Sequence, residues 1–104
     1  MNTTDLDERT QMSIELAMTA ASQDASLHPQ QDVQARALGM SGAEIDAARH
    51  GGSFDARIAI AVALATAAGQ DSQRHREQVV RALRAGLSEQ ACRDIQALAA
   101  RYQH

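Results

Sequence analysis

Apolar residues recur along this chain at helical intervals, in alanine-rich stretches that are separated by short polar or glycine-containing segments. Apolar positions three and four residues apart form one face of a helix, so the pattern predicts an all-α fold of about six helices. The first ten residues are polar and are predicted to be flexible, and residues 11–104 to form a single helical domain. The helices are expected at 12–22, 29–38, 41–50, 57–68, 72–85 and 88–102.

The boundary between the second and third predicted helices carries the clearest local signals. Gly39 stands where a helix ends on a left-handed residue, and Ser41 stands where the next one needs an N-cap. Glu44 completes a capping box with Ser41, and Met40 and Ile45 are spaced as a hydrophobic staple. The sequence therefore predicts a tight turn between two helices here.

The other helix ends are marked by similar residues. Pro29 fits the first position of the second helix, because the missing N–H is not needed there. Leu87 and Cys92 around Ser88 repeat the staple pattern. The remaining predicted caps are Ser53 or Asp55, Asp71 or Ser72, and Ser88, and the predicted stops are Gly51 with Gly52, Gly69 and Gly86.

The fourth predicted helix is apolar on almost every face. Its run from Ile58 to Ala68 is about half the length of the roughly 20 residues that span a membrane, so a central, buried helix is expected instead. Much of the apolar content of the chain is alanine, and aromatic residues make up only 2%. Such a core removes little apolar area per contact, and we therefore expect a homo-oligomer.

Charge and composition exclude several classes of function. A net charge of -3 argues against a nucleic-acid-binding surface, which requires a clustered positive face. The N-terminus lacks the pattern of a secretory signal, and one cysteine cannot form an internal disulfide. These features predict a cytoplasmic protein that binds neither nucleic acid nor membrane.

One long segment is similar to a known family. Residues 35–57, ARALGMSGAEIDAARHGGSFDAR, together with the alanine-rich helix that follows and AGLSE at 85–89, resemble the carboxymuconolactone decarboxylase and alkylhydroperoxidase D-like proteins. The resemblance covers roughly residues 12–102. It implies an orthogonal all-α bundle that assembles into trimers or hexamers.

The redox members of that family carry a Cys-x-x-Cys-x-x-x-His motif that ends eight residues before a helix-terminal glycine, and a glutamate on the preceding helix. With Gly39 as that glycine, the histidine position holds Gln31, the second cysteine position Leu27 and the first Asp24. The glutamate position falls at Met12 or a neighbour. A peroxidase cycle needs an attacking and a resolving thiol, so the resemblance predicts the fold without the peroxidase activity.

Three polar residues at the start of the second helix remain candidates for catalysis. His28 would titrate, Asp24 would orient it and Gln31 would assist, which suits a decarboxylase-like acid–base enzyme acting on a small carboxylated substrate. Simple helix capping by Asp24 or His28 explains the same residues. Cys92 lies at a staple position and is expected to be a buried structural thiol instead of a redox centre.

The remaining histidines and a group of arginines are weaker candidates for a functional site. His50, His75 and His104 are not spaced as metal ligands, so neither a metal nor a cofactor is expected. Arginines 74, 76, 81 and 84 are interpreted as the solvated face of the fifth helix.

A DNA-binding helix-turn-helix is the remote alternative, since Ala35, Gly39 and Ile45 have its spacing. However, the first turns of its second helix would present Glu44 and Asp46 to the phosphates.

The preferred hypothesis is a non-redox oligomeric protein that binds a small ligand or acts as a scaffold.

Overall fold

A computed structural model describes residues 6–68 and 72–102. Within these ranges the chain forms six α-helices and no strand, as the sequence pattern predicted. They are α1 (Glu8–Met18), α2 (Leu27–Ala37), α3 (Gly42–Arg49), α4 (Ala56–Ala67), α5 (Ser72–Arg84) and α6 (Glu89–Ala100). None of these helices combines the length and the apolar character that crossing a bilayer requires.

The first helix begins earlier than predicted. Asp7 caps α1 by accepting a hydrogen bond from the Thr10 backbone N–H at 2.8 Å, so the helix starts at Glu8. Leu6, just before the cap, is 5% exposed and packs in the main core. The helix thus starts four residues before its predicted start at residue 12, because a local cap extends it into polar sequence. Residues 1–5 of the segment predicted to be flexible lie outside the described part of the chain, and the flexibility itself stays a prediction.

The second helix also begins before its predicted start. It starts at Leu27, so Pro29 is its third residue and not its first. The position is still compatible with proline, because the first four N–H groups of a helix have no partner within the helix. Ser26 precedes the helix, but its side chain forms no capping hydrogen bond.

The capping box of α3 forms as predicted. The Ser41 hydroxyl accepts from the Glu44 backbone N–H, and the Glu44 carboxylate accepts from the Ser41 N–H, both at 3.1 Å. Met40 and Ile45 are both buried in one cluster. The predicted caps Asp55 and Ser88 likewise bind the first turns of α4 and α6. Such a cap contributes about 1 kcal/mol to stability.

Helix α4 is central, as its apolar sequence predicted. It packs against α1, α5 and α6, and Val62 and Leu64 are fully buried. A second, smaller cluster lies between α1, α2 and α3, and it contains Leu16, Ala35 and Ile45. Helix α1 contributes to both clusters and so connects the central helix to the α2–α3 corner.

Glycines end three of the helices in the left-handed region. Gly39 has a φ of 88° and Gly51 a φ of 83°, and Gly86 ends α5 in the same way. Other residues rarely adopt such angles, so these stops depend on glycine. The predicted stop at Gly69 and the alternative cap at Asp71 lie outside the described residues.

Adjacent glycines at the end of α3 provide a test of this requirement. We expect Gly51→Ala to lower the free energy of unfolding by about 1–2 kcal/mol, because a left-handed backbone is unfavourable for alanine. A Cβ at Gly51 would meet nothing within 4 Å, so the loss reports backbone strain alone. Gly52→Ala is the matched control. Its φ is not positive and its Cβ would lie 3.8 Å from the Ala47 carbonyl oxygen, so we expect no loss. Equal losses in urea denaturation would contradict this account.

Candidate functional site

A hydrogen-bonded cluster joins α1, α2 and the end of the chain after α6. The Gln31 side-chain N–H group donates to the Glu15 carboxylate at 3.1 Å, and the Tyr102 hydroxyl donates to its other oxygen at 3.0 Å. Helix α1 supplies Glu15 and α2 supplies Gln31, whereas Tyr102 lies two residues beyond the end of α6. The carboxylate thus receives one neutral donor on each oxygen.

The direction of these hydrogen bonds fixes the orientation of the Gln31 amide. The Thr19 hydroxyl donates its proton to the Glu15 backbone carbonyl at 2.7 Å, and its oxygen accepts from Gln31 Nε2 at 2.9 Å. A carboxylate only accepts, so the nitrogen of the amide must face Glu15 and Thr19. Gln31 is 1% exposed, and its Oε1 is buried without a hydrogen-bond partner. A buried unpaired acceptor is costly and suggests that a donor belongs there.

Two adjoining cavities open beside the cluster. The smaller, of about 260 Å³, has a mostly polar wall formed by Glu15, Thr19, Leu27, Gln30, Gln31, Gln34 and Tyr102. The larger, of about 430 Å³, is lined by Glu8, Gln11, Met12, Glu15, Gln34, Ala37, Leu38, Leu98, Arg101 and Tyr102. They share Glu15, Gln34 and Tyr102, so the two cavities adjoin, and together they are called the depression between α1, α2 and the end of α6.

The electrostatics of the cluster are dominated by one carboxylate. Burial raises the pKa of the Tyr102 hydroxyl, and its hydrogen bond to Glu15 and the charge of that group raise it further. The tyrosine therefore remains a neutral donor at physiological pH. Within residues 6–68 and 72–102, Glu15 has no ion-pair partner, whereas Arg9 pairs with Glu44 and Arg49 pairs with Asp32.

Of the three predicted site residues, only Gln31 belongs to this cluster. Asp24 is exposed, and its carboxylate accepts from the Ser26 hydroxyl at 2.8 Å and the Ser26 N–H at 3.0 Å. These two bonds are the main reason why the pKa of Asp24 is lowered, and the charge of His28 contributes least. The structure therefore gives Asp24 a local turn contact in place of a hydrogen bond that would orient His28.

His28 lies next to the cluster without lining either cavity. Its Nε2 is 3.2 Å from the Thr19 carbonyl oxygen, and since that oxygen can only accept, Nε2 must carry the proton. The backbone carbonyl of His28 accepts from the Arg49 guanidinium at 3.1 Å, and Arg49 also pairs with Asp32 at 2.8 Å. These contacts hold the start of α2 against α1 and α3.

Glu15, Thr19 and Tyr102 were not predicted from the sequence. The resemblance placed a glutamate position at Met12 or a neighbour, and Glu15, one helical turn later, is the acid that contacts Gln31. It is also the one acidic residue between positions 12 and 22, which is a signal that could have identified it. Tyr102 is 87 residues away from Glu15 in sequence, and no local pattern connects the two.

Cys92 is separate from this site and is packed in the main core. Its side chain is 4% exposed, beside Leu87 and Ile95. Burial raises the pKa of its thiol, the charge of Glu89 raises it further, and Arg93 offsets part of the effect. The reactive thiolate is therefore disfavoured at neutral pH.

The geometry supports neither a metal site nor DNA binding among the described residues. No group of three or more His, Cys, Asp or Glu side chains in the described ranges could hold a metal ion. In a DNA-binding helix-turn-helix, α3 would be the helix that enters the groove. Its last residue, Arg49, already pairs with Asp32, and its Glu44 binds Ser41 and Arg9. That helix thus offers acidic and neutral groups where phosphate contacts would be needed.

Comparison with known proteins adds no relative: no family model, no curated protein and no solved structure matches this chain.

The burial of Cys92 leads to a prediction about its reactivity. We expect the native protein to react with a chromogenic disulfide at pH 8 at least about 100-fold more slowly than the protein unfolded in guanidinium chloride, because access requires opening of the core. The double variant Cys92→Ser, Ala97→Cys moves the thiol to an exposed position of α6 and serves as the control. Native Cys92 reacting as fast as the thiol at position 97 would restore it as a redox candidate.

Proposed function

We propose that this protein is a non-redox small-ligand-binding protein, and that the depression beside Glu15, Gln31 and Tyr102 is its ligand site. The observation that carries the proposal is the buried Gln31 Oε1, which has no partner although Gln31 forms part of a cavity wall. A ligand that donates a hydrogen bond to this oxygen removes a cost of about 1–3 kcal/mol.

The size of the site also supports a small ligand. Together the two adjoining cavities fall within the range of about 300–1,000 Å³ that is typical of small-molecule sites. Their walls combine a few convergent polar groups with apolar side chains from α1, α2 and α6, which is the usual composition of such sites. The polar groups are held by each other, whereas the Gln31 Oε1 is enclosed, so a side chain of the wall must move before a ligand reaches this oxygen.

Binding is favoured over acid–base catalysis at His28. The imidazole lines neither cavity, and its Nε2–H is already donated to the Thr19 carbonyl. The smaller cavity has no cationic side chain in its wall, although a carboxylated substrate would need one. The larger cavity has Arg101 in its wall, but His28 lines neither cavity and so does not reach a substrate held there.

We further propose that the chain is an alkylhydroperoxidase D-like subunit that assembles into a homotrimer or homohexamer. The all-helical architecture is compatible with the sequence resemblance. Large apolar side chains also remain on the surface: Phe54 is 75% and Val33 71% exposed, and Val80 and Leu83 on α5 are 45% and 40% exposed. Assembly would cover part of this area and add to a core rich in alanine.

A pocket-filling variant tests the proposed ligand site. Gln34 lines both cavities and is exposed, so Gln34→Trp is expected to fill the depression without disturbing the core. Gln90→Trp, the same substitution at an exposed position of α6 that lines neither cavity, is the matched control. In a fragment screen followed by amide chemical shifts, we expect wild type and Gln90→Trp to bind the same compounds and Gln34→Trp to lose them at least about tenfold. Unimpaired binding by Gln34→Trp would contradict this site.

The molar mass in solution tests the proposed oligomer. Light scattering on a sizing column is expected to give three or six times the 11.1 kDa of one chain at micromolar concentration. A species of 11.1 kDa that persists at high concentration would contradict the proposed assembly.

A further inference from the structure

We propose that the ligand of this site is a small primary amine with a short apolar tail, whose ammonium group binds at Glu15 and Gln31. This inference rests on the proposed ligand-binding function and specifies the chemical class of the ligand. The evidence for this inference is the chemistry of the two ends of the depression.

The inner end presents hydrogen-bond acceptors and negative charge. Both oxygens of Glu15 accept from neutral donors, and each keeps a further lone pair, while no cation among the described residues pairs with it. The Gln31 Oε1 beside it is buried and unpartnered. Nε2 of Gln31 is committed to Glu15 and Thr19, so the amide cannot turn its N–H group to a ligand without losing both bonds. A group with several donors and a positive charge fits these vacant acceptors.

The outer end is mostly apolar. Beyond the shared residues Glu15, Gln34 and Tyr102, the wall of the larger cavity combines the apolar Met12, Ala37, Leu38 and Leu98 with the polar Glu8, Gln11 and Arg101. An ammonium at Glu15 would therefore direct a short alkyl chain along α1 towards α6. A tail that lies against the apolar side chains buries apolar area at roughly 0.8 kcal/mol per CH₂.

Anions and the chain's own cations are the competitors for this site. The smaller cavity has no arginine or histidine in its wall, so an anion would meet Glu15 without a counter-charge. Arg101 lines the larger cavity together with Glu15, and Glu8 lies at the same cavity. Occupation of the carboxylate by Arg101 in solution is thus the main internal alternative, and the experiment includes a variant for it.

Three probes of equal length separate charge from shape. Butylammonium chloride, 1-butanol and sodium butyrate are titrated into ¹⁵N-labelled protein at pH 7 and low salt. We expect butylammonium to cause saturable amide shifts at Glu15, Thr19, Gln31, Gln34 and Tyr102. Butanol is expected to bind at least about tenfold more weakly and butyrate more weakly still. Butylammonium binding should also weaken several-fold at 0.5 M NaCl, where the screening length falls to a few Å, whereas butanol binding should not.

Two variants assign the effect to Glu15. Glu15→Gln keeps the shape of the side chain and is expected to weaken butylammonium binding at least about tenfold while leaving butanol unchanged. Glu89→Gln, an exposed position on α6 that lines neither cavity, is the control with the same loss of charge and no expected effect. The NaCl titration of the wild type tests the charge requirement independently should Glu15→Gln not fold. Arg101→Ala is expected to change butylammonium affinity less than about twofold.

Each remaining outcome overturns either the amine as ligand or the proposed function itself. Butanol or butyrate binding as tightly as butylammonium would exclude the amine and leave the ligand site intact. Binding of butylammonium only in Arg101→Ala would mean that the chain occupies its own site, which also excludes the amine. If no probe binds while the fragment screen finds ligands blocked by Gln34→Trp, the amine is wrong and the proposed function stands. If Gln34→Trp blocks nothing either, the proposed function itself fails.

Discussion

The carboxylate of Glu15 is the point where three distant parts of the chain meet. It binds Gln31 from α2 and Tyr102 from the C-terminal segment, while the carbonyl of the same residue holds the Thr19 hydroxyl. Hydrogen bonds to a charged group contribute roughly 1.5–3 kcal/mol each when they are desolvated. Removal of this one acceptor would leave the buried Gln31 amide with Thr19 alone, so the α1–α2 packing and the cavity walls depend on the same interaction.

The alanine-rich core makes such polar contacts more important than they are in most domains. Alanine lets α4 approach its neighbours closely, but each contact removes little apolar area from water. The α2–α3 corner is joined to α1 through a cluster of six buried residues. Within the corner, Arg49 of α3 binds the His28 carbonyl and Asp32 of α2. The polar contacts of α2 therefore set its angle to α1, and with it the shape of the depression.

Local features could be predicted from the sequence, whereas the site could not. The capping box at Ser41 and Glu44 and the stop at Gly39 are decided by residues within five positions of each other, and both formed as predicted. The start of α1 was missed because an N-cap aspartate outweighed a polar composition. The partnership of Glu15 with Tyr102 depends on how α1 packs against α6, which no periodicity encodes. Gln31 was selected for its alignment with a catalytic position, and its amide chemistry became clear only with its partners.

The proposed kinship with the redox proteins would place their reactive cysteines at Asp24 and Leu27, which carry no thiol. The Asp24 carboxylate instead accepts the two hydrogen bonds of a turn at Ser26. The thiol of Cys92 is in the core, where burial disfavours the thiolate. What remains at the site is the Glu15 carboxylate, the neutral Tyr102 hydroxyl and the unpartnered amide oxygen of Gln31, none of which is a thiol that could reduce a peroxide. Fixed acceptors without a thiol nucleophile are suited to the cationic donor proposed above, whose selection would rest on charge and hydrogen-bond direction.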